Sequence, residues 1–274
     1  MCRSKLLAVL VDLSGTLHVE NAEIPGAIDA VRKLKSLPNV ALKFVSNSSK
    51  ESRAFLLNRL RTIGFPLEDT DLFTALTAAR CLVEKKQLRP MLLLEPSAAE
   101  EFQGMDTSNP NAVVVGLAPS HFHYSRLSEA FNLILNGGEL VALHKARYFR
   151  DEKGLSLGPG CFVHGLEFST DRKATVVGKP EPAFFLSAVR ECTGEEEFPP
   201  ESAIMIGDDA RDDVGGAQRL GMRGILVQTG KYRPGDETKL EGAAPWRCVQ
   251  SIVEAAEVVE QLSKSDLSST LFDI

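Results

Sequence analysis

The chain is 274 residues long, about two domains' worth at roughly 150 residues each. Apolar residues make up 43% and charged residues 25%, proportions that exclude a disordered, collagen-like or fibrous chain. The net charge of −6 provides no global field for a polyanion, so nucleic acid and anionic membrane surfaces are excluded as general partners and any phosphate site must be local.

In chain order, residues 6–11 (LLAVLV) form a continuous apolar run closed by Asp12, which predicts a strand buried on both faces of a parallel sheet. Ala27, Ile28, Val31, Leu34 and Leu37 then recur at helical spacing, and residues 40–45 (VALKFV) repeat the buried-strand pattern. Strand, helix and strand make one parallel crossover unit. A second helix is predicted over about 50–63, with Leu56, Leu57, Leu60 and Ile63 inward. PMLLLE, NAVVVG and ELVALHK are three further apolar runs, with a helix around 125–135 before the third and DEKG and GPG turns after it. The late chain returns to the first grammar: helix near 182–190, strand 203–206, helix near 214–220, strand 224–227 and a last helix near 249–262. The pattern predicts an α/β fold, a doubly wound parallel sheet (Rossmann-like core) with an inserted α/β domain. Residues 1–76 are expected to form the first part of the core, 77–177 the insert and 178–274 the second part; one continuous sheet is the alternative.

The basic opening MCRSK leads into only six apolar residues, too few for a secretory signal. No run approaches the ~18 apolar residues of a membrane span, and LFDI is not a prenylation box. A cytoplasmic location is expected. Cys2, Cys81, Cys161, Cys192 and Cys248 are odd in number and far apart, which fits neither a disulfide framework nor a metal knuckle, and they read as reduced thiols.

Four features carry the chemistry. Asp12 closes the first strand in VDLSGT, where Gly15 and Thr16 can turn backbone N–H groups towards an anion. Ser46 and Asn47 close the second strand. Lys179 lies in VGKPEP, whose prolines suit a helix start. GDDARDD gathers Asp208, Asp209, Asp212 and Asp213 between a buried strand and a helix, where their repulsion destabilises the fold unless a cation neutralises it. Singly, each has a plain structural reading: a helix cap, turn chemistry, a solvated lysine, a solvated acidic face. Together they fall at the carboxyl ends of strands, where doubly wound sheets bind ligands. There Asp12 can attack phosphorus to form an aspartyl-phosphate. Strands about 4.8 Å apart and Mg–O distances of about 2.1 Å let one Mg²⁺ bridge Asp12 and Asp208. Ser46, Asn47 and Lys179 would supply donors and charge to the phosphoryl oxygens.

VDLSGT, FVSN, VGKPEP and MIGDDARDD resemble the four motifs of the haloacid dehalogenase superfamily of Mg²⁺-dependent phosphohydrolases, and the insertion between the second and third resembles the large α/β cap of one branch. The resemblance runs to about residue 262. It implies Asp12 as nucleophile, with Ser14 and Lys179 completing the catalytic set. It further implies Asp12, Ser14 and Asp208 as Mg²⁺ ligands, and Asp12, Leu13, Ser14, Ser46, Asn47 and Lys179 around the substrate. Asp209 and Asp213 would stand behind them, Asp213 orienting Lys179. One position departs from the pattern: most phosphatases of the superfamily carry an Asp two residues after the nucleophile as general acid and base, and here that residue is Ser14. Its carbonyl can still bind Mg²⁺, but a hydroxyl is a feeble proton carrier near neutral pH.

The expected function is therefore a Mg²⁺-dependent phosphatase that hydrolyses a phosphate monoester, pyrophosphate or phosphoramidate through an aspartyl-phosphate. Its partner would be a small phosphorylated substrate or a phosphorylated side chain, with no nucleic acid, no membrane and room for a homodimer. The alternative raised by Ser14 is a catalytically weak or inactive phospho-ligand binding protein, a pseudophosphatase. A response-regulator receiver is disfavoured because its acidic pair follows the first strand, and a metal-free dehalogenase would leave the acidic cluster without its cation. His121 and His123 lack a third ligand nearby and read as structural. Lys145, Arg147 and Tyr148 read as surface, with contact to a substrate's distal part as the functional alternative. Trp246 reads as packing, and GPGCFVHG lacks the spacing of a nucleotide loop.

Overall fold

Every residue of the strand Leu7–Asp12 is buried, as a run of apolar residues without alternation requires of a central parallel strand. The computed structural model describes residues 6–151, 154–240 and 242–264. They divide into two compact units, one of the described residues up to 46, 57–73 and from 182 onwards, the other of residues 47–56 and 74–181. The sequence places an insert at 77–177; the second unit also takes in residues 47–56, and with them the start of the helix Arg53–Ile63.

The sheet of the first unit runs in the order Arg247–Val249, Arg223–Val227, Ala203–Gly207, Leu7–Asp12, Val40–Ser46, Leu72–Thr74. The pairings between its first five strands are parallel, and the fold is the α/β, doubly wound kind expected. Register positions the site: Asp12 lies opposite Val45 and Val11 opposite Ile206. Asp12 and Asp208 therefore leave adjacent strands at the same end of the sheet. The helix Ala27–Ser36 buries Ala27, Ala30, Val31 and Leu34 and packs against Ile252–Lys264. Pro182–Thr193 buries Phe184 and Phe185, and Phe184 meets Phe73 with ring centroids 5.1 Å apart. Lys43, buried within this sheet, donates from Nζ to the Thr70 carbonyl at 2.7 Å and to Glu191 at 3.2 Å, as a buried charge must.

The helix predicted near 214–220 begins earlier and differently. A wide turn of π type covers Ala210–Gly215, followed by a short α-helix Gly216–Gln218. Asp209 Oδ1 accepts the N–H groups of Arg211 and Asp212, each at 3.0 Å, so the side chain that caps the element moves its start forward.

In the second unit a four-stranded sheet runs in the order Thr175–Val176, Glu139–Ala142, Ala112–Val115, Pro90–Leu93, all parallel. Alternation divides its side chains between two faces. Val114 and Val141 pack with Ala75, Leu76, Ala79 and Val83 of the helix Ala75–Lys85. Val113 and Val115 pack with Ala130 and Ile134 of Tyr124–Leu135 and with Val163 and Leu166 of Gly160–Thr170. Neither Ala75–Lys85 nor Gly160–Thr170 was expected from the sequence. In the latter, Gly160, Val163, Leu166, Glu167 and Thr170 are buried at helical spacing, but glycines and β-branched residues weaken the signal. The GPG turn opens this helix, where a Cβ on Gly158 or Gly160 would strike the carbonyls of Ala146 and Lys145. The DEKG turn falls partly on residues outside those described. No described helix is long and apolar enough to cross a membrane.

Leu10 sits at 0% exposure in the central strand. Leu10→Ala should therefore lower the unfolding free energy by about 2–5 kcal/mol, read as a lower urea midpoint; an unchanged midpoint would contradict this account of the core.

Candidate active site

At the carboxyl end of the first unit's sheet, Asp12, Asp208 and Asp213 are all buried, and one carboxylate oxygen from each lies within 4.8 Å of the others. Asp208 is 1% exposed. Burial first, then the charge of Asp12, push its carboxyl up to about 7, while the Lys231 charge and main-chain N–H pull the other way. Its Oδ2 accepts the Lys231 N–H at 2.6 Å. Its Oδ1 is buried without a hydrogen-bond partner among the described residues. A buried carboxylate oxygen with no donor needs a counterpart, and an all-carboxylate donor set suits a hard divalent cation such as Mg²⁺. Thr16, itself buried, donates to Asp12 Oδ2 at 3.4 Å.

Two glycines make room for Asp208. Gly15 has φ +93 and Gly230 φ +60, and a Cβ on either would clash with Asp208 Oδ2. The Thr229 hydroxyl donates to the Gly15 carbonyl at 2.6 Å, which fastens the loop after Arg223–Val227 to the turn after Asp12. The close approach of these backbones requires glycine at both places. Asp213 lies under Gly207, where a Cβ would strike its carboxylate, and its Oδ2 accepts the Asp209 N–H at 3.2 Å. Leu13 is buried, whereas Ser14 is exposed. The Leu13 carbonyl accepts the Leu17 N–H at 2.8 Å, closing the turn. Ser46 is buried at the end of its strand.

Asn47 and Lys179 belong to the second unit. There the Asn47 side chain holds Lys179 by its backbone, Nδ2 donating to the Lys179 carbonyl and Oδ1 accepting the Lys179 N–H, both at 2.8 Å. A Cβ on Gly178 would clash with Leu143 O and crowd Asn47 Oδ1. Asn47 thus has a part that sequence reasoning missed: its amide positions the lysine. Lys179 is 3% exposed.

The remaining singled-out residues have these surroundings. His123 Nδ1 caps the helix Tyr124–Leu135 by accepting the Arg126 N–H at 3.5 Å. Lys145 pairs with the buried Glu167 at 2.7 Å, and Tyr148 is exposed. Trp246 packs under Arg223 and Arg247, whose guanidinium carbons lie 5.2 and 4.5 Å from its ring. Lys231 is the basic residue that motif reading missed, and its only signal is the position of TGK directly after a buried strand.

The haloacid dehalogenase-like hydrolase model matches residues 9–108 and the HAD-hydrolase-like model residues 176–255. The chain is 56% identical over 259 residues to haloacid dehalogenase-like hydrolase domain-containing protein 2 of Bos taurus, covering 94% of this chain and 98% of the relative. It is 40% identical over 260 residues to phospholysine phosphohistidine inorganic pyrophosphate phosphatase of Homo sapiens, covering 92% and 94%. The solved 4-nitrophenylphosphatase of Thermotoga maritima superposes with a TM-score of 0.81 at 25% identity, covering 93% of this chain and 97% of that one. The chain belongs to the haloacid dehalogenase-like hydrolases. Within that family it is an enzyme of the phosphoric-ester hydrolase kind.

Gly15→Ala should displace Asp208 and strain a left-handed backbone by about 1–3 kcal/mol, lowering both thermal stability and divalent-cation affinity. A variant with wild-type melting and wild-type Mg²⁺ titration would show that Asp208 does not depend on this cradle.

Proposed function

We propose that the protein is a Mg²⁺-dependent phosphatase acting through an aspartyl-phosphate on Asp12. The observation that carries the reading is the buried trio of carboxylates with Asp208 Oδ1 unpartnered. Asp12, Asp208 and the main-chain carbonyl of Ser14 would hold the ion, which when bound supplies charge neutralisation at the phosphoryl oxygens. Asp12 attacks phosphorus with one carboxylate oxygen as the bond to the leaving oxygen breaks, and Thr16 orients the other. Water then cleaves the acyl phosphate, returning the Asp12 carboxylate and releasing phosphate. Ser46 supplies a hydroxyl donor and Lys179 a positive charge to the phosphoryl group, with Asn47 fixing the backbone of the lysine. Asp209 and Asp213 order the acidic loop through their bonds to its N–H groups.

Ser14 shapes the choice of substrate. Without a carboxyl group at this exposed position, leaving groups that need no proton from the enzyme are favoured over alkyl phosphates: pyrophosphate and activated esters, which depart as stabilised anions, and phosphoramidates already protonated on nitrogen, which release a neutral amine. The second unit would act as a cap that selects the substrate's distal part, for which Lys145, Arg147 and Tyr148 are candidates. The free thiols of Cys161, Cys192 and Cys248 fit a cytoplasmic setting. Ser14 also motivates the second reading, a protein that binds a phosphorylated ligand without turning it over.

Phosphate release from p-nitrophenyl phosphate and pyrophosphate tests the proposal. Release should require Mg²⁺, stop with EDTA and fall at least about 10³-fold in Asp12→Asn. Equal release by the Asn variant would remove Asp12 as nucleophile, and phosphate binding without release would favour the second reading. Ser14→Asp should raise kcat/KM for an alkyl phosphate by on the order of 10²-fold, with little change for pyrophosphate. Equal effects on both substrates would overturn the leaving-group account.

A further inference from the structure

The loop after Arg223–Val227 brings to the acidic site a basic residue for which the chemistry above has no use. The Lys231 N–H donates to Asp208 Oδ2 at 2.6 Å, and its Nζ lies 3.5 Å from Asp209 Oδ2. The loop has little freedom to place this residue elsewhere. The Thr229 hydroxyl holds the Gly15 carbonyl at 2.6 Å, and a Cβ on Gly230 would clash with Gly15. The side chain is 68% exposed, so it can swing into solvent without unfolding anything. It leaves Asp208 Oδ1 without a hydrogen-bond partner among the described residues.

We propose that Lys231 is a positioning residue that sets the divalent-cation affinity of the Asp12–Asp208 site. Its main-chain N–H fixes Asp208 by one oxygen, and its ammonium, resting on Asp209, sets a positive charge against an incoming cation. The inference rests on the cation-dependent reading of the site. The two parts separate by substitution: the main-chain bond survives any side chain, and the charge does not. Before a cation arrives, the ammonium offsets the repulsion of the carboxylates; once one binds, the two positive charges oppose each other. A like charge several ångströms away in a partly exposed site weakens binding by about tenfold. The exposed position makes that penalty sensitive to salt.

Isothermal titration of Mg²⁺ into the full chain tests this with wild type, Lys231→Gln and Lys231→Arg, at low salt and at roughly 1 M salt. Lys231→Gln should bind Mg²⁺ about tenfold more tightly at low salt, the gap closing at high salt, while Lys231→Arg should stay near wild type. In EDTA the Gln variant should melt below wild type while the Arg variant melts at the wild-type temperature, a pattern that a merely structural side chain would not produce alongside tighter metal binding by the Gln variant. Equal or weaker Mg²⁺ affinity in Lys231→Gln would overturn the role of Lys231 and leave the metal site standing. No Mg²⁺ binding by any of the three proteins would overturn the site itself and this inference with it.

Discussion

Two carboxylates leaving adjacent parallel strands at one end of a buried sheet cannot both stay charged and dry without a countercharge, and the first unit is built around that constraint. Asp12 and Asp208 reach the same place because Leu7–Asp12 pairs in register with Ala203–Gly207. Everything nearby relieves or tolerates the crowding. Gly15 and Gly230 give up side chains so that Asp208 Oδ2 has room, Gly207 does the same for Asp213, and Lys231 contributes a main-chain donor and a charge. Burial and the charge of Asp12 raise the pKa of Asp208, as that crowding requires. On the proposed reading a divalent cation would relieve the crowding and the same ion would serve phosphoryl chemistry, so the feature that destabilises the fold would also make the site useful.

Much of this was legible in the sequence because short-range patterns encode it. The unbroken apolar runs at 6–11, 40–45 and 203–206 announce strands buried on both faces, and the residues just beyond them announce where ligands bind. Asp12 and Asp208 followed from that rule. What escaped reading was set by contacts distant along the chain. That Gly230 packs on Gly15, or that Lys231 answers Asp208, depends on the loop after one strand meeting the turn after another. That Asn47 clasps the Lys179 backbone instead of simply standing ready as a donor joins residues far apart in the chain. The helix Gly160–Thr170 escaped for another reason: its sequence is poor in strong helix formers, and packing against the sheet supplies what propensity does not.

The second unit shows the same logic applied to a single carboxylate. Glu167 is buried on the inward side of Gly160–Thr170, yet it accepts from Lys145 at 2.7 Å and from the Ala174 N–H at 2.8 Å. Burial pushes the Glu167 pKa up, but those bonds and the charges of Lys145 and Lys173 hold it below the ordinary carboxylate range. Glu167 Oε2, like Asp208 Oδ1, has no hydrogen bond among the described residues, but His164 Nδ1 lies 2.9 Å from it and the charges that act on Glu167 are those of Lys145 and Lys173, whereas Asp208 faces the charge of Asp12. On the proposed reading, that difference in neighbouring charge separates a structural ion pair from a metal site.

The most direct test is thermal unfolding of wild type and Asp208→Asn, each in EDTA and in saturating Mg²⁺. If crowded carboxylates are the central constraint, wild type gains stability with Mg²⁺, by about 2.7 kcal/mol at a hundredfold excess over the dissociation constant. Asp208→Asn, relieved of one buried charge, should melt above wild type in EDTA and respond little to Mg²⁺. A wild type indifferent to Mg²⁺, together with an Asn variant that is less stable without it, would contradict the account.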